Sequence, residues 1–172
     1  MLKPLFFLIG EHSEAHPELV KRIISEGHDI GNHTYDHPSL PSLPAAQFQN
    51  EILDTGKLLK RISGHDPLLF RPPYTRITED QVKWLAEQKI YTIGWNVDTQ
   101  DWKQIPANLV ESKVFDQIKP GAIIIMHSAS PDGAANLSST VEALPRIIKK
   151  VERPRARACN RFSAIGYSGL RR

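Results

Sequence analysis

The chain has 172 residues, 40% of them hydrophobic, and carries 22 Lys and Arg against 19 Asp and Glu. This suits one soluble domain with a real core, and the longest apolar runs, such as "AIIIM" at 122–126, fall far short of the roughly 18 residues that span a bilayer, so no membrane insertion is expected. The pI near 9.0 comes from six arginines at Arg153 and beyond, a segment without Asp or Glu; residues 1–152 hold 16 basic and 19 acidic side chains, which gives no reason to expect a nucleic-acid partner.

In chain order, "PLFFLIG" reads as a core strand rather than a signal peptide, since no small-residue cleavage site follows it. "HPELVKRIISEG" reads as a helix with Pro17 in its first turn, an apolar stripe of Leu19, Val20, Ile23 and Ile24, and Gly27 as its stop. "HDIGNH" is the next short strand. A helix over 45–62 follows, with Phe48, Ile52, Leu59 and Ile62 on one face and Gly64 at its end. "DPLLF" is a buried strand. Thr78 and Gln81 form a capping box that opens a helix with Val82 and Leu85 facing inward, and "IYTIGWNV" alternates as a single strand. A helix near 106–118, the strand "AIIIM" and a last helix from Ser139 or Thr140 to Val151, kinked at Pro145, complete the series. Strands alternating with helices predict a parallel α/β fold, organised as one domain over 1–152 and a basic tail over 153–172. Cys159 is the single cysteine, which excludes an internal disulfide.

The unusual polar residues fall where such a fold places its chemistry. His33 ends one predicted strand, and Arg71, Asp98 with Asp101, and His127 follow others, all at the C-terminal edge where ligands bind in parallel α/β folds. His33 and His37, four apart in "HTYDH", suit two ligands of a zinc site or two exposed loop histidines. "RPPY" reads either as a rigid turn after a paired Arg71 or as a functional loop. "DTQDW" reads as an Asx turn beside a packed tryptophan or as part of a site, and His127 as a hydrogen-bonded core histidine or a catalyst. His12, His16, His28 and His65 have no comparable setting.

Taken together, "HTYDH", "RPPY", "DTQDW" and "IMH", with Ile125 where leucine is usual, resemble the motifs of the polysaccharide deacetylase family, carbohydrate esterase family four, from about Leu5 to Val151. The resemblance implies a distorted (β/α) barrel with fewer than eight parallel strands and hydrolysis of N-acetyl groups from an amino-sugar polymer such as peptidoglycan or chitin-type glycan. It implies zinc, or another divalent transition metal, held by His33 and His37, with His127 as general acid set by Asp101 and Arg71 orienting a catalytic-base carboxylate. Tyr74, through its backbone N–H, Pro73 and Trp102 then contribute to substrate binding.

The family's Thr-Phe-Asp-Asp-Gly motif, which brings the base and the third metal ligand on a first strand, has no counterpart before "LFFLIG". The N-terminal strand is therefore expected to be missing and the chain's activity impaired. The alternatives are a non-catalytic carbohydrate-binding relative, or a replacement ligand from Asp29, Asp36 or a neighbouring subunit. Family members mostly work outside the cytoplasmic membrane, and no export signal is read here, so localisation stays open.

Overall fold

The computed structural model describes residues 3–152; the basic tail, with Cys159, lies outside the described residues. These residues form two compact units, one over Lys3–Gly94 and one beginning at Trp95.

In the first unit, β1 (Leu5–Leu8), β2 (Asp29–Asn32), β3 (Leu69–Phe70) and β4 (Tyr91–Thr92) form one sheet in the order β1-β2-β3-β4, every pairing parallel. Leu5 pairs with Asp29, Asn32 with Phe70, and Phe70 with Thr92, so the strand ends are aligned and the loops leaving β2 and β3 emerge at one edge. Gly31 is needed for this register, because a Cβ there would stand 2.6 Å from the Phe7 ring and 3.0 Å from the Leu69 carbonyl oxygen.

The crossovers are helical. α1 (Gly10–Ala15) succeeds β1 at once, then α2 (Pro17–Ser25), α3 (Ala45–Ser63) and α4 (Glu79–Glu87). Phe48, Ile52, Thr55 and Leu59 recur at helical spacing on α3 and are all buried, and the helix ends where Gly64 adopts φ +78° and returns its amide to the Lys60 carbonyl. Leu40, Phe48, Ile52, Phe70 and Leu85 form one core cluster, and Val20, Ile30 and Leu59 another. The predicted capping box at Thr78 is formed in both directions. Two side chains expected inward face solvent. Leu19 is exposed because the buried stripe of α2 centres on Val20, Ile23 and Ile24, and Val82 is exposed because Trp84 takes the core position, edge-on to Phe48 at 5.4 Å.

The expected single strand over 90–97 is divided. Its first half pairs as β4 with β3, whereas β5 (Val97–Asp98) pairs in parallel with β6 (Ile124–Ile125) in the second unit. The unit boundary falls between Gly94 and Trp95, inside that alternating run. α5 (Ala107–Gln117) and α6 (Ser138–Val151) complete the second unit and bury Val110, Val114, Ala143 and Ile147 against each other. α6 runs as one element across Pro145. Dividing the run makes six strands among the described residues, one more than the sequence reading, and the parallel α/β class stands.

Candidate functional site

The predicted residues gather into two constellations, one in each unit. In the first, β2 ends at Asn32 and the chain turns sharply through His33–His37. Thr34 and His37 adopt φ +68° and +62°, a region that costs an L-residue roughly 1–2 kcal/mol each and is rare for a β-branched side chain.

Hydrogen bonds hold the turn in place. The buried Asn32 donates from Nδ2 to the Ile52 carbonyl at 2.8 Å and accepts the Thr34 amide at 2.9 Å. The Thr34 hydroxyl donates to the His33 carbonyl and accepts the His37 amide at 3.1 Å. On the other side, Gly10 and Glu11, the first residues of α1, donate their amides to the Thr34 and Tyr35 carbonyls, both at 2.9 Å. Glu51 of α3 accepts the Tyr35 amide at 2.7 Å and the Asp36 amide at 3.3 Å through one oxygen. Burial raises the Glu51 carboxyl pKa, partly countered by those two amides.

The two rings the turn presents lie 4.8 Å apart, edge to face, and the Tyr74 ring stands 4.7 Å from His37. His33 Nδ1 lies 2.7 Å from the Arg71 carbonyl oxygen, an acceptor only, so Nδ1 carries the proton and Nε2 keeps its lone pair. Arg71 is buried, with its guanidinium 4.2 Å above the Phe7 ring and longer contacts of 3.4 Å to the Ile93 and Gly94 carbonyls. Desolvation brings its pKa down to about 10, still charged at neutral pH. Pro72 and the buried Pro73 then lead into Tyr74 at φ +55°, whose ring is exposed.

This donor set fits a zinc-type metal in kind: two imidazoles four residues apart, one with its Nδ1 held by a backbone carbonyl. In number it offers two ligands. Among the described residues no group of three His, Cys, Asp or Glu forms. Asp29 does not serve as the third, because it opens β2 while His33 lies just past the strand's other end, four residues or roughly 13 Å away along the extended chain. Asp36 is exposed, and it too belongs to no such group.

In the second unit, Asp101 lies just beyond β5 in a turn flanked by left-handed Gln100 and Gln104. Its carboxylate is buried and accepts four hydrogen bonds: the His127 ring Nδ1 at 2.7 Å, the His127 amide at 2.7 Å, the Trp102 amide at 2.9 Å and the Thr140 hydroxyl at 3.0 Å. Burial alone pushes the Asp101 pKa up, but the bonds from His127 and Thr140 outweigh it, and the net shift is downward from 3.8. An ionised acceptor at Nδ1 keeps a proton on that nitrogen. The ring is part-exposed. Trp102 is exposed, with the Lys103 ammonium 5.1 Å from its ring centroid. Asp98 accepts the Gln100 amide in an Asx turn.

Sequence reasoning missed Asn32, Glu51 and Thr140. Each is an ordinary residue type for its element, and only the folded chain reveals that its polar atom reaches a site residue's loop or carboxylate.

The polysaccharide deacetylase family profile matches residues 2–111. The peptidoglycan-N-acetylglucosamine deacetylase of Bacillus cereus is 42% identical over 156 residues, which are 91% of this chain and 56% of that protein. The chain thus spans little more than half the length of that relative. A crystal structure of a peptidoglycan N-acetylglucosamine deacetylase in complex with 4-naphthalen-1-yl-N-oxidanyl-benzamide superposes with TM-score 0.84 at 41% identity, covering 87% of this chain and 69% of that one. A pseudoenzyme of carbohydrate esterase family 4 from Bacillus anthracis superposes with TM-score 0.79 at 30% identity, covering 87% and 50%. Structural relatives of this kind have a (β/α)-barrel-like fold, matched here by parallel strands in smaller number. The chain belongs to the polysaccharide deacetylase family.

Proposed function

We propose that this chain hydrolyses N-acetyl groups from the amino sugars of a glycan, peptidoglycan first and chitin-type glycan as the alternative polymer, with zinc or a similar divalent metal as cofactor. The observation that carries the reading is the Asp101–His127 pair, a buried carboxylate 2.7 Å from the Nδ1 of a part-exposed histidine. The choice of peptidoglycan rests on the similarity to peptidoglycan-N-acetylglucosamine deacetylases.

His33 and His37 would hold the metal, which when bound polarises the acetamide carbonyl and lowers the pKa of water toward neutrality. The chain's own residues supply a proton donor, an oxyanion contact and a face for the sugar, while the proton of the attacking water needs an acceptor that none of these residues provides. An amine leaves only if protonated, and His127 delivers that proton from Nε2 while Asp101 stabilises the charged ring. The Tyr74 amide donates to the carbonyl oxygen as negative charge develops, in a turn made rigid by Pro73. Arg71 fixes the His33 ring through its own backbone carbonyl. Trp102 offers a flat face to a sugar ring.

A second reading, a carbohydrate-binding relative without catalysis, is favoured by the two-ligand donor set among the described residues and by the resemblance to a pseudoenzyme. With two protein ligands, metal binding is weak and turnover low. Incubation of the chain with N-acetylated peptidoglycan or chitin oligomers, with added zinc or with chelator, separates the two. Zinc-dependent acetate release supports the hydrolase; glycan retention without acetate at any zinc concentration supports the binding protein.

A further inference from the structure

We propose that Glu51 is the positioning residue of the histidine pair, acting as an acceptor clamp on the backbone between the two rings; this rests on the reading that His33 and His37 hold a metal.

The turn from His33 to His37 places three residues between the two candidate ligands, and the relative orientation of the rings depends on how those three are held. Two of the three, Tyr35 and Asp36, point their amides at a single Glu51 oxygen, at 2.7 and 3.3 Å. Neither amide belongs to a helix or strand. The next residue on α3, Ile52, accepts the Asn32 side chain just before His33 at 2.8 Å. One turn of α3 therefore grips the segment on both sides of the first ring.

The chemistry of the clamp is specific. An amide N–H needs an acceptor, and a carboxylate oxygen has lone pairs for two donors at once. A glutamine carbonyl in the same place also accepts both, whereas leucine, of similar size, accepts neither. Charge is thus not what the site requires; an oxygen at that point is. α1 satisfies the same segment's carbonyls through the Gly10 and Glu11 amides, so removing Glu51 releases one side of the turn while the other still anchors it. The expected defect is misplaced rings in a folded unit. Groups that fix metal ligands from behind typically change affinity by about 10- to 100-fold.

The test uses the full chain and the variants Glu51→Gln and Glu51→Leu. Cobalt(II) affinity and the visible spectrum of the cobalt-loaded protein are measured, with far-UV circular dichroism as the fold control. Glu51→Leu should bind at least about tenfold more weakly with an altered spectrum, and Glu51→Gln should stay within about threefold with the wild-type spectrum. Binding of Glu51→Leu within threefold of wild type overturns the proposal, as does a loss in Glu51→Gln as large as in Glu51→Leu. If the wild-type chain takes up no cobalt at all, the metal reading fails by itself. Glu51 is then judged by hydrogen exchange in the metal-free protein: Tyr35 and Asp36 amides protected in wild type and Glu51→Gln but not in Glu51→Leu uphold the clamp, and equal protection in all three refutes it.

Discussion

Replacing Asp101 by asparagine should destabilise the second unit by an amount that depends on pH. The carboxylate is buried and all four of its partners are donors: two backbone amides, one ring nitrogen and one hydroxyl. An amide of the same shape turns one of the two oxygens into a donor. If that NH2 faces His127 N–H and Thr140, the hydroxyl rotates to accept and the backbone amide is left opposed. If it faces Trp102 N–H and His127 Nδ1, the ring changes tautomer to accept, and again one backbone amide is opposed. Either way one buried N–H loses its acceptor, at about 1–3 kcal/mol, and the remaining bonds lose their charge assistance, so the sum is about 2–4 kcal/mol at neutral pH. That is a large share of the roughly 5–15 kcal/mol typical of a whole domain. The lowered pKa sets the sign with pH. Asp101 is held below 3.8 in the folded chain, so its contribution is full above that value and disappears as pH falls through the folded value. Urea unfolding of the wild type and Asp101→Asn between about pH 4 and about pH 2.5 should show a gap that shrinks as the pH falls. A gap under about 0.5 kcal/mol at neutral pH, or one that does not narrow in acid, refutes the argument.

Other contacts give three more expected outcomes. Gly31→Ala should cost about 1–3 kcal/mol, because its Cβ would stand 2.6 Å from the Phe7 ring on which Arg71 rests; thermal unfolding checks this, and an unchanged midpoint means that the ring moves freely. Thr140→Val removes one donor to Asp101 and should raise that carboxyl's pKa, seen as a shift of its NMR titration toward 3.8, with no shift if Thr140 is a bystander. His127→Ala should lower kcat far more than it raises KM in acetate-release assays, since the lost step is protonation of the leaving amine, and equal kcat would remove His127 from the role of acid.

The helices and the site residues were legible for different reasons. α2, α3 and α4 carry a periodic stripe and a start or stop signal, Pro17, Gly64 or the Thr78 capping box, and the structure reproduces them within a residue or two. α1 escaped because its six residues have no apolar stripe and no side-chain cap; the close approach of Gly10 to Tyr35, where a Cβ would stand at 2.5 Å, is a tertiary fact. The run over 90–97 misled because period-two alternation reports an extended chain and says nothing about which sheet each half joins. Ile93 donates its amide to Phe70, whereas Asn96 and Val97 donate theirs to Ile123, so Gly94 and Trp95 between them belong to neither ladder.

The residues that would do chemistry announce themselves by type and place, since histidine, arginine and aspartate at the ends of apolar strands are expensive there without a purpose. Their supports do not. Glu51 is a glutamate on a helix surface, Thr140 a threonine near a helix start, Asn32 a polar residue at a strand end, each in a place where its type is ordinary. What makes them matter is that the turn they hold is strained, at Thr34 and His37, or that the carboxylate they serve is buried. A strained turn persists only where surrounding bonds determine it fully, and a buried charge only where donors surround it. Both conditions depend on partners 15 to 39 residues away in the chain, from Asp36 to Glu51 and from Asp101 to Thr140, and a separation of that kind leaves no trace in local spacing.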